Sequence, residues 1–139
     1  MAVIARTKKP MALAALLILS LGPGARAETP DYKPTASEAV LLPKFCWHQF
    51  MGDKFSGPGY YIPPESCGWV TNHYCPGLVD LNRANRAIGD ERKRRLDLLR
   101  ARENTLYTLK GIKDFPHCPI RVHAETTLRI IDDQLKMVR

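Results

Sequence analysis

Apolar residues recur at steps of three and four over three stretches of this chain, and nowhere do they alternate long enough to predict a strand. Val70, Tyr74, Leu78, Leu81, Ala84 and Ile88 form the first stripe, which predicts a helix from about residue 70 to 88 stopped by Gly89. Asp90 then offers an N-cap for a second helix over about 90–110, with Leu96, Leu99, Leu106 and Leu109 as its seam and Gly111 at its end. Ile120, Ala124, Leu128, Ile131, Leu135 and Val138 give the cleanest stripe, a third amphipathic helix of about 18 residues. The first two helices have almost no connector and must fold back on each other. The predicted class is therefore all-α, an antiparallel helical hairpin plus a third helix.

Upstream the pattern breaks up. "SEAVLLPKFCWHQF" predicts one or two helical turns, with Ser37 as N-cap, Val40, Leu41, Phe45 and Trp47 as apolar anchors, and an interruption near Pro43. Residues 51–68 carry four glycines and three prolines, which predicts a long loop without regular structure. A loop of that length in a small domain is either functional or tied down. Residues 28–36, "ETPDYKPTA", read as a flexible mature N-terminus, so the predicted helical domain is a single one over 37–139.

The first 27 residues read as an export signal: Arg6, Lys8 and Lys9 precede the apolar run "MALAALLILSLG", and "ARA" at Ala25 to Ala27 fits a cleavage site. That run is shorter than the about 20 residues a spanning helix needs, so no transmembrane segment is expected after cleavage. Removing residues 1–27 also changes the charge. Of 21 basic residues the signal takes four, Arg6, Lys8, Lys9 and Arg26, and none of the 14 acidic ones, so the net falls from +7 to 17 − 14 = +3. Nucleic-acid binding thereby loses its compositional support. The expected location is periplasmic or secreted.

Four cysteines in an exported chain, Cys46, Cys67, Cys75 and Cys118, argue for two disulfides among three possible connectivities. Helix length narrows the choice. Helices over 70–88 and 90–110 are each roughly 30 Å long, so their far ends meet and bring the loop of Cys118 beside that of Cys67. This favours Cys67–Cys118 and Cys46–Cys75, with the N-terminal loop stapled to the helices.

Candidate chemistry is sparse. Cys46, His48, His73 and Cys75 mirror one another as Cys-x-His and His-x-Cys, a donor set that could take zinc or copper, with His117 as a further ligand. Oxidation to disulfides would remove that option. His73 lies two residues from Cys75, on a different helix face, which places it badly to activate a thiolate. No serine-hydrolase elbow, phosphate loop or metalloprotease motif occurs, so no enzyme is expected and no cofactor is implied. Two surfaces remain for a protein partner. Phe50, Phe55, Tyr60, Tyr61 and Trp69 are interleaved with glycine and proline, and could form a rigid aromatic patch. Arg92 and Arg95 head a basic run with Lys93, Arg94, Arg100, Arg102 and, on the first helix, Arg86.

The combination of "LPKFC" at Leu42 to Cys46 and "HYC" at His73 to Cys75, followed by a basic second helix and a third, resembles small exported tetratricopeptide-like proteins of Gram-negative bacteria, in which an "LPxYC" segment precedes a "HYC" helix. The resemblance spans roughly residues 40–139, although the full repeat signature is absent. It implies a helical-repeat scaffold that binds a partner protein or joins a larger envelope complex. With about one and a half repeat units, such a scaffold must be stapled or completed by another subunit, a homo-oligomer included.

Overall fold

The structure, a computed structural model, describes residues 33–138. The expected export signal, and residues 28–32 of the expected mature N-terminus, lie outside the described residues. Every regular element among them is helical. Three short helices, α1 (Ala36–Ala39), α2 (Trp47–Met51) and α3 (Pro64–Cys67), lead into three longer ones, α4 (Tyr74–Arg86), α5 (Glu91–Gly111) and α6 (Arg121–Met137). Single 3-10 turns lie at Lys44–Cys46, Asp53–Phe55 and Trp69–His73. No helix among the described residues is long and apolar enough to cross a membrane.

The chain enters α1 through Thr35, not Ser37. The Thr35 hydroxyl accepts from the Glu38 amide at 3.3 Å, and the Glu38 carboxylate accepts from the Thr35 amide at 2.9 Å, closing a reciprocal capping box. A glutamate three residues after Thr35 decides the cap; the residue three after Ser37 is Val40, which cannot close such a box. Glu38 also holds α1 to α4 through Arg83 at 2.8 Å and Arg86 at 3.3 Å. The Arg83 bond, before anything else, holds its carboxyl down to about 2. Ala39 and Leu42 are buried where Val40 and Leu41 were expected, and those two lie in solvent.

α4 is shorter than the apolar stripe suggests. Residues Trp69–His73 wind as a 3-10 turn, and the α-helix starts at Tyr74, which puts Pro76 in the first turn, where its missing N–H costs nothing. At the other end Gly89 takes φ 82°, a left-handed turn that lets the chain reverse into α5 and leaves Ile88 in solvent. Asp90 caps α5 as expected, accepting from the Lys93 amide at 2.8 Å.

The main departure is in α5. Three of the four leucines of its predicted seam face outward, Leu96, Leu99 and Leu106 being 46%, 42% and 38% exposed, and only Leu109 packs against the core. The buried stripe is Asp97, Leu98, Ala101, Thr105 and Thr108, continued by Ile112. Small side chains win because α5 packs against both α4 and α6, and the backbones come close on the α4 side. A methyl group added to Gly77 of α4 would stand 3.0 Å from Asn104 Cβ and 3.3 Å from the Ala101 carbonyl. One added to Gly111 would stand 2.7 Å from Val70 Cβ. The buried hydroxyls are satisfied by the helix itself, Thr105 donating to Ala101 O at 2.8 Å and Thr108 to Asn104 O at 3.0 Å. α6 follows its stripe closely, with Ile120, Ala124, Ile131 and Val138 buried and Leu128 and Leu135 half-buried.

Two apolar clusters result. One contains Leu42, Tyr74, Leu78, Val79, Ile112 and Ile120 around all four cysteines. The other contains Leu81, Ala84, Leu98, Ala101, Ile131 and Val138. The cysteines form Cys46–Cys75 and Cys67–Cys118, the pairing that the helix lengths favour.

Candidate functional site

Cys46–Cys75 holds the N-terminal segment against the start of α4, and Cys67–Cys118 holds the end of α3, just before the turn at Trp69, against the loop that precedes α6. Between the N-terminal segment and that turn opens a cleft of about 220 Å³. The buried Cys75 and the half-buried Phe45, Ile62 and Pro64 line it together with the exposed Tyr61 and Trp69. Trp69 is 81% exposed, an unusual position for an indole held one residue beyond Gly68, at φ 71°, and two beyond a buried cysteine bridge. Gly68 is needed twice over: its backbone is left-handed, and a methyl there would stand 3.1 Å from the Phe115 ring.

His48 lies against Tyr61, ring centroids 5.1 Å apart, and its Nδ1 is buried without a hydrogen-bond partner. Gln49 donates to the Asn72 carbonyl at 2.7 Å, tying α2 to the turn that carries Trp69. The cleft is therefore lined by apolar and aromatic side chains, with His48, Gln49, Thr71 and Asn72 as its polar groups.

The remaining candidates separate. Phe55 and Tyr60 pack with Trp47 at centroid distances of 5.4 to 5.8 Å, and the Trp47 indole donates to Leu42 O at 3.0 Å. Residues 51–68 are not the featureless loop expected, since they hold a 3-10 turn at Asp53–Phe55 and the helix α3. The trio packs the first part of this segment onto α2, so of the aromatic candidates only Tyr61 and Trp69 line the cleft. Periodicity carries no signal for such a cluster. Arg92 and Arg95 lie exposed on α5.

Cys46 and Cys75 are bonded to each other, so neither sulfur is a thiolate ligand in this state. The imidazoles beside them are engaged separately. His73 packs on Tyr107 at 4.3 Å and meets Asn104 Oδ1 at 3.3 Å, while His48 faces Tyr61. Among the described residues no group of three or more His, Cys, Asp or Glu side chains could hold a metal ion, and His117 stands exposed in its loop. The four residues thus do not fit zinc or copper while the bridge is intact.

Two buried polar groups make interactions that apolar periodicity does not predict, the first of them on a residue of the expected stripe. Tyr74 is fully buried, and its hydroxyl meets His123 Nδ1 and, at 2.9 Å, Thr127 Oγ1. The i, i+4 spacing of His123 and Thr127 was the available signal. The second is Asp80 on α4, buried near Asp97 of α5, with Oδ2 unpartnered. Asp97 has Lys93 at 2.9 Å and Arg100 at 3.6 Å. Burial, and then the Asp97 charge, push the Asp80 carboxyl up to about 6.

This sets a pH dependence. A carboxyl whose folded pKa is raised binds its proton more tightly folded than unfolded, so its effect on stability is most favourable below pH 3.8 and declines as pH rises through about 6. Asp80→Asn is expected to stabilise the protein at pH 7, by about 1–2 kcal/mol after discounting for solvent and nearby cations. The gain should vanish by pH 4. Urea denaturation of both proteins at pH 4 and pH 7 checks this, and equal differences at the two pH values would count against it.

No known protein family, curated protein or solved structure matches this chain.

Proposed function

We propose that this chain is a non-enzymatic interaction or assembly subunit, exported to the periplasm or envelope, that binds a partner protein on a tetratricopeptide-like helical scaffold. The observation that carries the reading is the solvent-facing Trp69, which with Tyr61 lines an apolar cleft and lies two residues beyond the bridged Cys67, with the bridged Cys75 in the cleft wall. An indole kept in water by a rigid frame is the usual anchor of a protein interface, because little conformational entropy remains to be lost on binding. Two bridges in a small helical domain also suit an oxidising compartment.

The test is purification of the full chain from native envelope extract, with and without Trp69→Ala and Tyr61→Ala together. A single partner at fixed stoichiometry is expected with the wild type and should be lost in the double variant. Both side chains are exposed, so the variant should keep the wild-type melting temperature. A chain that elutes alone, or a partner retained by the variant, would overturn the proposal.

A further inference from the structure

The leucines of α5 are patterned for a helix interface that the fold does not use. Leu96, Leu99 and Leu106, with Tyr107, form an exposed stripe opposite the small-residue face that packs on α4. Exposure of one leucine needs no explanation, but four large apolar side chains at helical spacing on one face do.

The charges around the stripe indicate its occupant. Of the basic residues on this part of the molecule, Arg86 is paired with Glu38, Lys93 and Arg100 with Asp97, and Arg102 with Asp132 at 2.7 Å. Arg94 bonds Gln134. Arg92, Arg95 and Lys110 form no ion pair among the described residues, and they flank the leucines at both ends, with Glu103 the one exposed carboxylate between them on α5 and Asp97 buried on the opposite face. Arg92 and Arg95 also stand in the first turns of α5, where the helix dipole makes positive charge unfavourable. A cationic, leucine-lined face retained at that cost is complementary to an apolar ridge bordered by carboxylates.

We infer that this face of α5 docks an acidic amphipathic helix of the partner protein. The inference rests on the proposed interaction function and names the partner's chemistry. Leu96 to Leu106 spans about 15 Å along α5, enough to seat two to three turns of a partner helix whose apolar residues recur at i, i+3, i+4 and i+7. A second copy of the chain fits less well. Antiparallel self-pairing that sets Leu99 against Leu106 also sets Arg95 against Lys110, like charge on like. An anionic membrane surface fits less well too, since an interfacial helix must sink its apolar face about 5–10 Å. These leucines are more than half covered by their own neighbours.

Photo-crosslinking tests this on the full chain in native envelopes, with p-benzoylphenylalanine at position 99, at 106 or, separately, at 69. The expected adduct from 99 and 106 is one segment of another protein, net negative and with apolar residues at helical spacing. Its yield should fall about tenfold in R92E/R95E, a charge reversal at two exposed positions that leaves the core untouched. Adducts from 99 and 106 with a second copy, with lipid or with a neutral or basic segment would overturn the inference, as would no adduct or an unchanged yield in R92E/R95E. An adduct from 69 without one from 99 or 106 would overturn the docking face and leave the interaction function standing. No adduct from any position would remove both.

Discussion

The Cys67→Ala/Cys118→Ala variant is expected to lose about 4 kcal/mol of stability, and Cys46→Ala/Cys75→Ala about 3.6 kcal/mol, from the loop-closure entropy each bridge removes from the unfolded chain. The order follows from the sequence separations, 51 residues against 29. A small domain is stable by only about 5–15 kcal/mol, so either loss is severe, and full reduction should leave little folded protein at 37 °C. One feature pushes the real losses up: all four sulfurs are in the larger apolar cluster, so alanine there leaves space as well as slack. The overlap of the bridges along the chain, 46, 67, 75, 118, acts weakly the other way, since each bridge shortens the loop that the other closes. Urea titration of the oxidised wild type and both variants provides the measurement. A loss below about 1 kcal/mol for Cys67→Ala/Cys118→Ala would show that helix packing alone sets the fold.

That result bears on how much of the molecule can be read from its sequence. The third helix was legible because it lies on one side of the molecule and buries one stripe, so periodicity and burial coincide at Ile120, Ala124 and Ile131. The Asp90 cap was legible because capping is local chemistry. The face of α5 was not. A helix packed on two neighbours can bury alanine and threonine where backbones approach, as at Ala101 and Thr105, and pattern alone then assigns the core to the leucines. Within the candidate site, Tyr61 and Trp69 were legible as aromatics in a glycine-rich loop. That Phe55 and Tyr60 stack on Trp47 instead depends on a turn geometry that no periodic signal encodes. Asp80 stayed hidden for a related reason. Its burial comes from the close approach of α4 and α5, and a lone carboxylate on a helix ordinarily faces water.

Tyr74 lies where local and long-range structure meet, and its replacement is expected to be the most damaging single substitution. Tyr74→Ala should cost about 3–5 kcal/mol, the range for removing a large buried aromatic side chain. The ring stacks on Phe45 at 6.2 Å and receives the His123 edge at 5.7 Å, so its loss also loosens the segment that Cys46 anchors. Tyr74→Phe separates the hydroxyl from the ring. It should cost about 1–2 kcal/mol, because His123 Nδ1 and Thr127 Oγ1 lose their shared partner. pH gives an independent check. Burial first of all raises the phenol to about 12, so the folded protein keeps its proton where the unfolded chain, at 10.0, has lost it. Stability from this group is complete below pH 10 and is lost as pH rises toward 12. The alkaline decline should therefore be shallower in Tyr74→Phe than in the wild type, measured by thermal melts between pH 8 and about 11. A phenylalanine variant that melts with the wild type and shares its alkaline decline would place the hydroxyl in water, leaving Tyr74 no more than an apolar ring.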